Sequence, residues 1–127
     1  MRHESHYTVE QANAVRPWVA ERVRWIREAQ RQLFALGEPA MDAISALDAS
    51  VGGAYPGRDV AGSLVELSRA LGELDAVDVV LRDVERGLVD FPAIREGEEV
   101  YLCWLLEEDK IRFWHDPDEG FAGRQPL

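Results

Sequence analysis

The hydrophobic period of this chain changes once, at Gly87, and that change decides what the chain can fold into. Before Gly87 apolar residues recur every three to four positions. After it they alternate. The first pattern buries one stripe of a helix and the second buries one face of a strand. A helical half followed by a β half within 127 residues reads as an α+β fold. A chain of this length is expected to form a single domain, 1–127.

The first helix is expected over 9–36. Thr8-Val9-Glu10-Gln11 is a capping box, in which the Thr hydroxyl and the Gln side chain satisfy orphan N–H groups. Gly37 and Pro39 mark the stop. Pro17 removes an interior hydrogen bond, so a kink or break is expected near residues 13–17. On a wheel of about 100° per residue, Ala12, Val15, Trp18, Val19, Val23, Trp25, Ile26, Ala29, Leu33 and Phe34 fall on one half of the circumference. So wide an arc needs more than one partner.

Residues 37–58 form an Ala-, Gly- and Pro-rich connector. It has room for a short helix over Met41–Leu47. Its Val51–Gly57 loop lacks the lysine of a phosphate cradle. A second helix is expected over 59–86, with Asp59 as N-cap and Gly87 as the stop. Val60, Leu64, Leu67, Leu71 and Leu74 give it a coiled-coil-like seam. Two such helices predict an antiparallel amphipathic hairpin. Each is about 40 Å long, whereas a globule of this chain length is about 36 Å across. An elongated molecule or a homodimer follows.

The β unit is expected over 88–116, as a small antiparallel meander of two to three strands. A short strand near Ala93–Arg95 leads through the turn Glu96-Gly97 to a strand over Glu99–Leu106. That strand is apolar on both faces, so it should lie centrally. Lys110–His115 returns, and 117–127 is an irregular tail.

The formal net charge is −10, and residues 59–127 carry seventeen acids against seven bases. Such a half repels nucleic acid and anionic membranes. No apolar run approaches a membrane span, and the polar N-terminus does not resemble a secretory signal. Cys103 is the single cysteine, so no internal disulfide forms and a reducing, cytoplasmic setting is expected.

Chemistry-bearing residues concentrate late in the chain. His115, Asp116, Asp118 and Glu119 place one imidazole and three carboxylates in five residues. That donor set suits a divalent metal, although a turn of solvated charges is the plainer account. Glu85, Asp90 and His115 would make an acid–base or metal site if the second helix and the last strand converge. Asp78 lies near the apolar seam and needs a cation, which an opposed helix supplies as Arg22. Arg124 is a candidate anion ligand; pairing with this chain's own acids is the alternative. Cys103 reads as a buried, inert thiol.

The run from Arg82 to Pro92, the segment Glu99-Val100-Tyr101-Leu102-Cys103-Trp104, the groups Phe113–Asp116 and Gly120–Arg124, and the opening Tyr7–Ala14 resemble a bacterial and archaeal family catalogued as domain of unknown function 2203. Leu105 stands where members of that family typically have a charged residue. The resemblance implies the architecture and no particular activity. With no nucleophile motif, the expected role is a protein-binding or self-assembling dimeric module. The alternative is a metal-dependent or acid–base hydrolytic enzyme.

Overall fold

The computed structural model describes residues 1–35 and 58–127. Most of the connector, including the helix expected over Met41–Leu47 and the Val51–Gly57 loop, lies outside the described residues. Helix α1 spans Val9–Ala35 and helix α2 spans Arg58–Ala76. A sheet follows, made of β1 (Val80–Asp83), β2 (Leu88–Arg95), β3 (Glu98–Leu105), β4 (Phe113–His115) and β5 (Gln125–Pro126). A short 3-10 turn at Phe121–Gly123 precedes β5. The strands are antiparallel and lie in sequence order.

The capping box forms as the sequence predicts. The Gln11 N–H donates to Thr8 Oγ1 at 3.0 Å, and the Thr8 N–H donates to Gln11 Oε1 at 2.9 Å. Helix α1 then runs uninterrupted through Pro17, so the expected break does not occur. Ala12, Val19, Ala20, Val23, Ile26, Ala29 and Leu33 are its buried stripe. Burying each larger aliphatic side chain contributes about 1.5–3 kcal/mol. Trp25 and Phe34, at 44% and 54% exposed, lie outside the stripe.

Helix α2 ends ten residues before the expected stop at Arg86. The cause is a Schellman-type cap. The Val79 N–H donates to the Leu74 carbonyl, and the Asp78 N–H donates to that of Asp75. Asp78 has φ 61°, the left-handed conformation this cap demands, and Leu74 and Val79 are both buried in the apolar core. Asp is among the residues that accept this conformation.

The expected hairpin with two to three strands is corrected on both counts. Arg22 bonds Glu73, and Ser63 bonds Gln32, so the helices lie alongside each other with opposed directions. They are unequal, at 27 and 19 residues, rather than the matched pair expected. The sheet has five strands. Those missed are β1, which continues an apolar run that reads as helix, and the two-residue β5, which pairs the tail with β4.

Two glycine positions set the strand connections. Glu96 and Gly97 both have positive φ, 53° and 81°, which is the two-residue turn that fits the twist of a hairpin. Gly87 has φ +65°, and a Cβ there would stand 2.5 Å from Leu106 Cβ. Pro92 sits fully buried within β2. It is tolerated because β1 no longer flanks β2 at that point; instead Tyr7 donates its N–H to the Pro92 carbonyl.

Candidate functional site

Strand alternation gives the sheet two unlike faces. Val89, Phe91, Ala93, Val100, Leu102 and Trp104 pack with the helical stripe into one apolar core. The opposite face carries Asp90 on β2, Tyr101 and Cys103 on β3, and His115 on β4. The register places Asp90 opposite Cys103, and Tyr101 opposite His115. The two ends of the chain cover this face.

Asp90, Cys103 and His115 are 2%, 0% and 3% exposed. His115 Nδ1 lies 2.7 Å from the Asp116 carbonyl oxygen. A carbonyl only accepts, so Nδ1 carries a proton. His115 Nε2 lies 3.0 Å from Asp90 Oδ1, and a proton must stand between them as well. The second carboxylate oxygen, Asp90 Oδ2, accepts from Arg82 Nε at 2.9 Å. Burial, then the Asp90 carboxylate, pushes the Cys103 thiol up to about 11. A cavity of about 290 Å³ opens beside this cluster, lined by Arg2, Arg82, Asp90, His115, Asp118 and Glu119 among others.

The N-terminal segment before helix α1 is fastened to the sheet. Glu99 accepts from the backbone N–H groups of Arg2 and His3 and from His6 Nε2. Burial acts to raise the Glu99 carboxylate, yet these hydrogen bonds outweigh it and bring it to about 2. His3 bridges Asp78 and the Tyr101 hydroxyl, each at 2.7 Å. Arg2 pairs with Asp118 at 2.6 Å and thereby rims the cavity.

The structure sorts the sequence-derived candidates. Asp90 and His115 come together. Glu85 does not join them: it is exposed in the β1–β2 turn and takes two bonds from Arg31. The Arg31 hydrogen bond holds its carboxyl below the usual range. The premature end of α2 removes the geometry that would have brought Glu85 inward. The Arg22–Asp78 pair is replaced by Arg22–Glu73 at 2.8 Å and His3–Asp78 at 2.7 Å. The Arg22 guanidinium also lies against the rings of Trp18 and Trp25.

Asp116 serves through its backbone carbonyl, while Asp118 and Glu119 line the cavity. Arg124, the anion-ligand candidate, pairs within the chain through Nη2, while its buried Nε has no hydrogen-bond partner among the described residues. It bonds Glu108 at 2.6 Å and the Cys103 carbonyl at 3.1 Å, and lies against Phe113 and Phe121.

Cys103 is buried, as the sequence reading has it, and its place beside Asp90 follows from strand register. Counting six residues back from the Glu96-Gly97 turn on β2, and six forward on β3, sets Asp90 opposite Cys103. Among the described residues, no helix is long and apolar enough to cross a membrane.

No curated protein and no solved structure matches the chain. The family model described as "Uncharacterized conserved protein (DUF2203)" matches residues 5–127, nearly the whole sequence. With both capping-box residues, the Asp90–His115 strands and the tail inside that match, the chain belongs to the DUF2203 family.

Proposed function

We propose that the protein binds a small polar molecule in the cavity on the sheet face opposite the helices, with the Asp90–His115 pair able to move a proton to or from it. One observation carries this reading: a carboxylate and an imidazole, both almost fully buried, adjoin a cavity of about 290 Å³. Burying charged groups costs several kcal/mol unless each is paired, and apolar residues would fill the same strand positions at less cost. Arg82 supplies a donor beside the cavity and Asp90 an acceptor, so a ligand with both functions is recognised. The test is a titration of isotope-labelled protein with small carboxylates, phosphates and amines, followed by amide NMR. Shifts are expected at residues 82, 90 and 115–121 and absent from a His115→Gln variant. Shifts confined to the helices would contradict the reading.

A second reading concerns assembly. Trp25, Phe34 and Val65 are 44%, 54% and 65% exposed on the helices, and exposed apolar surface of this kind favours a homodimer or another protein partner. Sedimentation at micromolar concentration tests it. A dimer that Val65→Glu dissociates supports the reading, and a strictly monomeric wild type ends it.

A further inference from the structure

We infer that Asp90, Cys103 and His115 form a site for a single divalent transition metal, with an open coordination position facing the cavity. The inference deepens the reading of the cavity as a ligand site, and rests on it only for what would occupy that open position.

The donor atoms come from three adjacent strands and lie within 4.8 Å of one another. Ligands of a tetrahedral zinc-like ion, bonded at about 2.0–2.3 Å, stand about 3.3–3.8 Å apart. His115 Nε2 and Asp90 Oδ1, at 3.0 Å, need only a small side-chain rotation to admit an ion between them. One imidazole, one thiol and one carboxylate make a mixed nitrogen, sulfur and oxygen set. Such a set selects zinc-like ions over calcium or magnesium, which prefer oxygen alone.

The surroundings already hold two of the three ligands as a metal would require. The Asp116 carbonyl takes the Nδ1 proton and so points Nε2 at the site, the usual outer-shell arrangement for a metal-bound histidine. Arg82 holds Asp90 Oδ2 and leaves Oδ1 free to coordinate. In the metal-free state a proton stands between Nε2 and Oδ1, and another sits on Cys103 Sγ. The incoming ion takes the places of both, and both leave to solvent, so binding releases protons. Three protein ligands leave a position for water or a ligand, the arrangement of open rather than closed zinc sites. Asp118 and Glu119 rim the same cavity.

The test uses the full chain, freed of metal with a chelator and titrated with zinc and with cobalt(II). One equivalent is expected to bind. Cobalt should give intense tetrahedral visible bands and a near-ultraviolet thiolate charge-transfer band. That band disappears in Cys103→Ser, and zinc affinity falls at least tenfold in His115→Gln. Absence of stoichiometric binding by the wild type, or a cobalt spectrum without the thiolate band, overturns the inference without any variant having to fold. Cys103→Ser leaves Asp90 and His115 in place. Fragment shifts at the cavity that persist in that variant therefore keep the ligand-site reading even where the metal fails.

Discussion

The two faces of the sheet are made by the same strands and obey opposite rules. One face presents Phe91, Leu102 and Trp104 to the helices and is held by close packing. The other presents Asp90, Cys103 and His115 beneath the chain ends and is held by directed hydrogen bonds. A two-residue period puts neighbours such as Val89 and Asp90 into these unlike surroundings. The apolar face therefore accounts for stability, and the polar face carries groups whose burial opposes it.

The largest effect expected is on the apolar face. Trp104 is 0% exposed, and Trp104→Ala should cost about 3–5 kcal/mol, read from urea unfolding. Next comes Asp90→Ala, which strands His115 and Arg82 without their anion and should cost about 3 kcal/mol. The double variant Asp90→Leu, His115→Leu sharpens the contrast. It should recover most of that loss, since apolar replacement of a buried pair is often neutral or better. A double variant as unstable as the single would mean that the polar face serves stability after all.

The chain-end cover should respond to acid. The folded Glu99 carboxylate lies at about 2, below its ordinary value of 4.5. Its stabilisation is therefore complete above pH 4.5 and is lost as the pH falls toward 2. The expected size is on the order of 1–2 kcal/mol, allowing for solvent screening. Thermal unfolding across that range should show a flatter acid limb in Glu99→Gln. The smallest effect belongs to the helix start: Thr8→Ala removes half of the capping box and should cost about 1 kcal/mol, measured by thermal unfolding.

What was legible in the sequence was local. The capping box at Thr8, the turn at Glu96-Gly97 and the alternation through Tyr101 and Cys103 each depend on residues a few positions apart, and each forms. The end of α2 was not legible, because Val79, Val80 and Leu81 extend an apolar run, and the cap depends on Asp78 adopting positive φ. The site was half legible. His115 and Asp90 were identified by their chemistry, whereas their junction with Cys103 depends on register across three strands. Helical spacing does not reach Glu85, because α2 ends at Ala76.

The polar face is a working site if His115 is held as the hydrogen bonds require, and its ring nitrogens report this directly. Long-range proton–nitrogen NMR of labelled protein, with His115→Gln to assign the signal, distinguishes Nδ1 from Nε2. The Asp116 carbonyl predicts a protonated Nδ1 that stays protonated, with Nε2 alone changing when zinc or a cavity ligand is added. An unprotonated Nδ1, or an Nε2 signal indifferent to both, would contradict the account.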